Sequence, residues 1–355
     1  MRRHLSCLAV AVVLVAGMAV VTLGSSASAG EPSLDVFRNL GAWVDVFDYA
    51  PRLQSAGAEP RITPKSVSDM AALGVKTLYV QVANPDGAPA NQLTDRAQLR
   101  ALLAAAHEHD VAVVPWFLPG LTSPADDMAT MRKILALRVG GERVDGLGLD
   151  LESSQEADIR LRNQRTVAFA RRVRKLAGSS MPISAIVYPA VQIEVLNTTL
   201  WPDFPYRGVD RYVNAWMPMS YYTYRSADSG LRSPYRYTVD SVDRLRQRLG
   251  DEHAPVHLIG GLAEDSTPDD YLDMTRAAHA TDALGWSVYD YATTGSWAWP
   301  YLRDQVPVPT TLQPPTTPAP STAPPTTSTS PTTTSSTTTS STTTTTTTTI
   351  PPPSA

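Results

Sequence analysis

The sequence predicts an α/β protein, a single-domain (β/α)8 TIM barrel with a disordered C-terminal tail, on the strength of three observations. Short apolar runs alternate with helical patterns over roughly 270 residues, which is the length and rhythm of one such barrel. The run at 144–153 ends in two acids spaced one residue apart. Polar and aromatic residues cluster where the runs end, as they do at the C-terminal face of a barrel.

The run at 144–153 shows how a strand would divide its side chains. Alternation places three leucines on one face and Gly148, Asp150 and Glu152 on the other. The leucines require an apolar layer, whereas two carboxylates at the end of a strand require either water or a site that uses them. This pattern is typical of a barrel strand whose outer face is covered by helices and whose inner face ends at an open mouth.

The other elements follow in order along the chain. Eight apolar runs are the candidate strands: 41–48, 77–83, 111–117, 144–152, 183–188, 212–221, 256–262 and 284–289. Thr63-Pro64 and Thr267-Pro268 each place a cap residue before a proline at the first helical position, and 155–176 has the spacing of a surface helix. A doubly wound open sheet is the main alternative, but Gly41-Ala42-Trp43 is not the phosphate loop that it would need.

The two ends of the chain differ in composition from the predicted barrel at 30–305. At 1–29, two arginines, an apolar stretch and a small-residue end form a secretory signal, with an uncleaved membrane anchor as the alternative. The single cysteine, Cys7, would leave with the signal, so the mature protein would have no thiol chemistry. At 306–355 the chain is almost entirely Pro, Thr and Ser, which predicts a disordered stalk.

These ends and the net charge of −4 bound the location and the partners. We expect a secreted, extracellular protein without a stable membrane anchor, associated with a cell wall through its tail. The mild negative charge disfavours nucleic acid as a partner. His107 and His109 stand at a spacing that splays them apart on a helix, so the sequence predicts neither a metal site nor a cofactor. It does not indicate the oligomeric state.

The predicted strand ends carry carboxylate, amide and aromatic side chains. Such groups stack on sugar rings and hydrogen-bond sugar hydroxyls, so they predict a polysaccharide or oligosaccharide substrate. The predicted substrate-binding residues are Asp48, Gln81, Asn84, Trp116, Tyr188, Trp216, Met219, Tyr222, Tyr289 and Asp290, with Asp86 nearby. Any one of these aromatics alone is more typical of ordinary core or rim packing, and the prediction rests on all eight strand ends together.

Two segments resemble family 18 glycoside hydrolases, the chitinase family. Asp145-Gly146-Leu147-Gly148-Leu149-Asp150-Leu151-Glu152 resembles the fourth-strand signature D-G-x-D-x-D-x-E, and Met219-Ser220-Tyr221-Tyr222 resembles the sixth-strand M-x-Y-D. The resemblance implies a (β/α)8 barrel in which Glu152 protonates the glycosidic oxygen. It further implies that Asp150 orients the N-acetyl group of the substrate, whose oxygen is the nucleophile, and that Tyr221 supports that group.

The chain departs from the family pattern at two positions. Gly148 stands in place of the middle aspartate of the fourth-strand signature, and Tyr222 in place of the aspartate on the sixth strand. Val113-Val114-Pro115-Trp116, together with the acids of the fourth strand, is also similar to uncharacterised secreted glycosidase-like barrels of actinobacteria.

A mechanism with two carboxylates is an alternative that does not depend on the family. Glu264 follows the run at 256–262 and could face Glu152 across the mouth. Carboxyl groups about 5–5.5 Å apart would retain the anomeric configuration, and about 6.5–9.5 Å apart would invert it. Asp150 would raise the pKa of Glu152 by like-charge repulsion, which suits a general acid. Glu264 could instead be an acid at the entry of the helix that Thr267 caps.

Two classes of function therefore remain at this point. The first is a secreted glycoside hydrolase that acts on an extracellular or cell-wall polysaccharide, which the family resemblance suggests could contain N-acetylhexosamine, with Glu152 as the general acid. The second is a catalytically inactive carbohydrate-binding or cell-surface barrel, which the departures at Gly148 and Tyr222 motivate.

Overall fold

The computed structural model describes residues 32–84 and 91–303. The predicted signal segment, the Pro/Thr/Ser-rich tail and Asp86 lie outside this part of the chain. Within it, no helix combines the length and the apolar character needed to cross a membrane.

Eight strands form one parallel sheet, as the sequence predicted. They are β1 Asn39–Val44, β2 Thr77–Gln81, β3 Ala112–Phe117, β4 Leu147–Asp150, β5 Ile183–Val187, β6 Ala215–Pro218, β7 His257–Leu262 and β8 Gly285–Tyr289. Their order is β6-β5-β4-β3-β2-β1-β8-β7, and two parallel bridges, Trp216 with Val256 and Met219 with Ile259, join β6 to β7. The sheet therefore curls into a barrel, and the TIM-barrel prediction is confirmed.

Helices follow the strands along the chain. They are α1 Val46–Tyr49, α2 Pro64–Ala72, α3 Arg96–Glu108, α4 Pro124–Leu135, α5 Ile159–Ala177, α6 Tyr206–Asp210, α7 Pro234–Leu249, α8 Pro268–Ala280 and α9 Trp299–Leu302. Thr63 and Thr267 cap α2 and α8 in capping boxes, each with a proline in the first turn, as predicted.

Two apolar layers separate the inner and outer faces of the strands. The inner layer fills the barrel and comprises Phe37, Trp43, Tyr79, Val114, Trp116, Ile186, Ala215, Met217, Met219 and Ile259. The outer layer lies between strands and helices and includes Leu147, Leu149 and Leu151. The predicted alternation of β4 is therefore confirmed: its leucines face the helices, and the intervening residues face the barrel interior.

A hydrogen-bond chain closes the N-terminal end of the barrel. His257 lies fully buried, with Nδ1 2.9 Å from the carbonyl oxygen of Phe37 and Nε2 2.9 Å from Oγ of Ser287. Burial lowers the pKa of His257 to about 4, so its ring is neutral: Nδ1 donates to the carbonyl and Nε2 accepts from the hydroxyl. Trp43 Nε1 donates to the same Ser287 oxygen at 2.7 Å and its ring stacks on Tyr79. The opposite, C-terminal end, here called the mouth, is where polar groups collect.

The first strand is shorter than the sequence suggested. It ends at Val44, and Asp45 then caps α1 by accepting hydrogen bonds from the backbone N–H groups of Phe47 and Asp48 at 2.7 and 3.2 Å. The Asp48 carboxylate accepts in turn from the Asp45 N–H at 3.2 Å. The predicted extension to Asp48 is wrong because a cap residue ended the strand within an apolar run.

Candidate active site

The fourth strand delivers two carboxylates to the mouth. Asp150 is its last residue, and Glu152 follows two positions later on the same inward face. Asp150 is only 3% exposed, and within the described residues its Oδ1 has no hydrogen-bond partner. Glu152 is partly exposed and accepts a hydrogen bond from the hydroxyl of Tyr188, which follows β5. The structure therefore brings Tyr188, a predicted substrate-binding residue, next to the predicted catalytic residues Asp150 and Glu152.

The environment of this pair disfavours charge on both groups. Burial raises the pKa of Asp150 well above its ordinary value, and the neighbouring Glu152 raises it further. Burial raises the pKa of Glu152 to about 7, and the Tyr188 hydrogen bond opposes this rise. A carboxyl group that still holds its proton near neutral pH can act as a general acid.

Tyr221 lies beside these carboxylates. Burial, and then the charges of Glu152 and Asp150, raise the pKa of its phenol well above the usual range, so the hydroxyl stays protonated. Its ring lies 6.4 Å from that of Tyr289, the last residue of β8, which points inward. Met219 is buried in the inner layer two positions before Tyr221, as strand alternation requires. The structure therefore brings Tyr221 and Tyr289 to the predicted place.

Gly148 occupies the position of the missing aspartate, and its neighbours fill the space. A Cβ atom at Gly148 would lie 2.9 Å from Cβ of Trp116 and 3.0 Å from Cδ1 of Ile186. Cβ of Trp116 is fixed by the backbone of β3, so it cannot move aside as the end of a flexible side chain could. The floor beneath Asp150 is therefore aromatic and aliphatic where the family signature has a carboxylate. Trp116 Nε1, buried in this floor, has no hydrogen-bond partner among the described residues.

A second acidic group, here called the β1–β8 trio, comprises Asp45, Asp48 and Asp290. One oxygen from each lies within 4.8 Å of the others. Burial raises the pKa of Asp48 to about 7, and the charges of Asp45 and Asp290 add to the rise. Carboxylates in this arrangement are a ligand set that suits a hard cation.

The oxygens of the trio are nevertheless engaged by the protein itself. Asp45 accepts from the Tyr289 hydroxyl at 3.1 Å, in addition to the backbone of α1. Asp48 Oδ1 has no hydrogen-bond partner among the described residues, but it forms an ion pair with the guanidinium of Arg61 at 3.1 Å. Asp290 Oδ1 accepts from the N–H and the hydroxyl of Thr293, at 2.9 and 3.0 Å. The trio therefore fixes the loops after β1 and β8, and the predicted role of Asp48 and Asp290 as direct sugar contacts gains no support from their partners.

The second strand contributes amides that are buried. Gln81 Oε1 accepts from the N–H of Val46 at 3.2 Å, and its backbone carbonyl accepts from the Tyr49 hydroxyl at 2.7 Å. Gln81 is 1% exposed and braces α1, which is a structural use of the predicted sugar-binding amide. Asn84 is also buried.

Two predicted sugar-binding residues face away from the mouth. Trp216 lies in the outer layer and donates from Nε1 to Asp210 at 3.0 Å. Tyr222 is fully buried, also in the outer layer, with its hydroxyl 3.0 Å from Oγ of Ser266. The prediction for Trp216 is wrong because successive residues of β6 point to opposite faces, and Ala215 and Met217 take the inner one. The prediction for Tyr222 is wrong because the turn Tyr222–Tyr224 after β6 packs its ring into the outer layer.

Glu264 is an exposed residue of the turn Ala263–Asp265, which leads from β7 into α8. Its charge raises the pKa of both Tyr224 and Asp290, which places it at the rim. This position fits the alternative reading as an acid before a helix better than that of a nucleophile set into the mouth.

Three functional candidates escaped the sequence reasoning. Trp43 and Asp45 occupy alternate positions on the inward side of β1 and of the residue after it, and the period-2 alternation of a strand ending at Val44 is the signal that indicates this. Tyr224, in the turn after β6, is 45% exposed, with its ring 5.9 Å from that of Tyr221. No sequence signal distinguished Tyr224 from the other tyrosines of the segment 221–224.

Comparison with solved structures places the fold among known proteins. A Bacteroides thetaiotaomicron chitinase superposes with a TM-score of 0.50 at 12% identity, covering 74% of this chain and 93% of that one. The Bacillus cereus spore cortex-lytic enzyme SleL gives 0.53 at 9% identity, covering 77% and 74%. A family GH18 chitinase from Cycas revoluta, in complex with allosamidin, gives 0.52 at 10% identity, covering 75% and 98%.

The chain has the fold of the family 18 chitinase-like barrels. The fold that the family resemblance implied is thereby confirmed. No protein-family profile matches the sequence, and no curated protein matches it. At these identities the similarity establishes the fold alone, so any activity must be argued from the mouth itself.

Proposed function

We propose that this protein is a secreted glycoside hydrolase that cleaves an extracellular or cell-wall polysaccharide, with Glu152 as the general acid. The observation that carries the proposal is the β4 pair: Glu152 with a pKa of about 7, beside a buried Asp150 whose Oδ1 is unpartnered within the described chain. Burying two neighbouring carboxyl groups costs stability, more so where one oxygen lacks a partner, and sites that use such groups are where this cost is found. The signal segment motivates the extracellular location.

The geometry supports a separate role for each polar side chain of the site. Glu152 donates its proton to the glycosidic oxygen as the bond to the anomeric carbon breaks, and then accepts a proton from the attacking water. Tyr188, hydrogen-bonded to Glu152, holds that carboxyl in place. Asp150 and the protonated hydroxyl of Tyr221 offer an acceptor and a donor beside it, which suits the N–H and the carbonyl of an acetamido group.

The chitinase and the cortex-lytic enzyme that share the fold support an N-acetylhexosamine polymer as the substrate class. The acetamido oxygen would then be the nucleophile, as the family resemblance implies. Gly148 changes this scheme in one respect: no carboxylate stands below Asp150 to share its proton, so the pKa of Asp150 depends on burial and on Glu152.

The decisive experiment compares Glu152→Gln with Glu264→Gln on chitin, chitosan and peptidoglycan, measuring released reducing sugars. Loss of a general acid lowers kcat by about 10²–10⁴-fold, and we expect this for Glu152→Gln. We expect the kcat of Glu264→Gln, a change at the exposed rim, to stay within about threefold of the parent value, because Glu264 is not the general acid. Equal losses for both variants would instead favour the two-carboxylate mechanism.

A non-catalytic carbohydrate-binding barrel is the second candidate, and the filled position at Gly148 favours it. Under this alternative the parent protein releases no sugar from any of the three polymers, while it still binds one of them. A pull-down of the full chain on insoluble chitin and peptidoglycan, run beside the activity assay, separates the two functions.

A further inference from the structure

The turn after β6 exposes one tyrosine beside the candidate active site. Tyr222 and Tyr224 both lie in this turn, but Tyr222 is fully buried whereas Tyr224 is 45% exposed. Tyr224 meets Tyr221 edge to face, with an interplanar angle of 85°. Since Tyr221 lies beside Glu152, Tyr224 is one aromatic ring farther out from the proposed point of bond cleavage.

The rings form a continuous path from the barrel interior to the rim. Trp43 lies 6.4 Å from Tyr289, Tyr289 lies 6.4 Å from Tyr221, and Tyr221 lies 5.9 Å from Tyr224. Trp43 is buried, Tyr289 and Tyr221 are partly exposed, and Tyr224 is the exposed ring of the four. Tyr224 therefore offers apolar surface at the rim, next to the ring of Tyr221.

The charges around Tyr224 are mainly negative. Burial raises the pKa of its phenol, and Glu264 and Asp265, both exposed, raise it further; Glu152 adds a smaller contribution. The charge of Arg225 opposes this rise, but its guanidinium donates to Oε1 of Gln192 and lies over the ring of Tyr237. Its Nε has no hydrogen-bond partner among the described residues, but it is buried and so is not presented to a ligand at the rim.

We propose that Tyr224 is the stacking platform of a second sugar subsite, adjoining the cleavage site, that accepts neutral or amino sugars and excludes acidic ones. An exposed ring supplies the apolar surface on which a pyranose packs. Glu264 and Asp265 beside it repel carboxylated sugars and attract protonated amines. The proposal rests on the proposed function for the position of the cleavage site, and it names the substrate class that this function would take.

The test measures binding to the full-length Glu152→Gln protein by titration calorimetry at low salt. The probes are the tetramers of N-acetylglucosamine, glucosamine and galacturonic acid. We expect the first two to bind and the third to bind at least tenfold more weakly. Adding Tyr224→Ala should weaken binding of the N-acetylglucosamine tetramer at least tenfold, whereas Tyr224→Trp should keep it within threefold.

Tyr235→Ala is the matched control. Tyr235 is 37% exposed, but it lies on the α7–α8 face with the Arg276 guanidinium over its ring, so its loss should leave binding unchanged. Circular dichroism melting of each variant identifies a fold defect, and the Tyr224→Trp variant keeps the test valid if Tyr224→Ala unfolds. Replacing Glu264 and Asp265 together by their amides should strengthen binding of the galacturonic acid tetramer.

Three results would overturn the subsite: no tetramer binds, the Tyr224→Ala change leaves binding intact, or the galacturonic acid tetramer binds as tightly as the others. These outcomes are separate from those of the proposed function. If the parent hydrolyses a polymer but binding does not depend on Tyr224, the subsite alone fails. If binding depends on Tyr224 but the parent releases no sugar, hydrolysis alone fails.

Discussion

The mouth of the barrel holds two acidic groups that differ in how many of their carboxylate oxygens are bound by other protein groups. In the β1–β8 trio, backbone amides, Tyr289, Thr293 and Arg61 all engage carboxylate oxygens. In the β4 pair, Glu152 accepts from Tyr188, and Asp150 Oδ1 has no partner in the described part of the chain. Both groups have raised pKa values through burial, so the pKa alone does not separate them. The contacts of the oxygens do: Asp48 Oδ1 lacks a hydrogen bond within the described residues but pairs with Arg61, whereas no such ion pair to Asp150 Oδ1 occurs in that part of the chain. The first group therefore stabilises loops, and the second is the one placed to meet a substrate.

The largest expected difference between the two groups is in turnover. We expect Asp150→Asn to lower kcat by about 10²–10³-fold, within the range for a group that assists proton transfer. The melting temperature should not fall, because an amide replaces a buried carboxylate that lies beside another acid and whose Oδ1 lacks a hydrogen-bond partner among the described residues. Steady-state kinetics and thermal melting of the same preparation check both halves. A variant that melts earlier and keeps its activity would reverse the assignment of the two groups.

The opposite behaviour is expected at Asp45. Asp45→Ala removes the cap of α1 and the acceptor of the Tyr289 hydroxyl, so the free energy of unfolding should drop by about 1–2 kcal/mol. Turnover should change less than about tenfold, well below the loss predicted for Asp150. Denaturant titration measures the first effect, and Asp45→Ser, which retains a capping oxygen, should recover most of it. If serine fails to restore stability, capping is not what Asp45 contributes.

The smallest expected effect is a shift of a pH profile. The proposed acid must hold its proton, so kcat/KM should fall as pH rises through the pKa of Glu152, about 7. Tyr188→Phe removes a hydrogen bond that stabilises the carboxylate, so that pKa rises and the alkaline limb moves to higher pH. The hydroxyl of Tyr289 donates to Asp45 in the other group, so Tyr289→Phe should leave the alkaline limb in place. Equal movement in both variants would mean that the two acidic groups titrate together.

Periodicity in the sequence was enough to predict the barrel and the two faces of β4. The same rule, applied to β6, predicts that Ala215 and Met217 share one face and that Trp216 lies on the other, as observed. It does not extend to Tyr222, which lies in the turn after the strand. The aromatic composition of this strand end therefore does not predict which rings reach the mouth.

Side-chain contacts between neighbouring strands could not be predicted from the sequence, because they depend on how the strands pair in the barrel. The hydrogen bond from Tyr188 to Glu152 joins β5 to β4, and that from Tyr289 to Asp45 joins β8 to β1. Which carboxylates are engaged and which are free depends on these contacts. Exposure is likewise a tertiary property: Tyr222 and Tyr224 are two positions apart, and only the packed turn makes one of them core and the other surface.

The tight packing at Gly148 has an evolutionary consequence. A carboxylate at this position would collide with Cβ of Trp116 and with Ile186, so the route from this floor to the family signature needs smaller neighbours first. The order of substitutions therefore matters, because a carboxylate introduced before Trp116 and Ile186 are reduced in size meets a clash. The residue at position 148 is coupled in this way to its neighbours on β3 and β5.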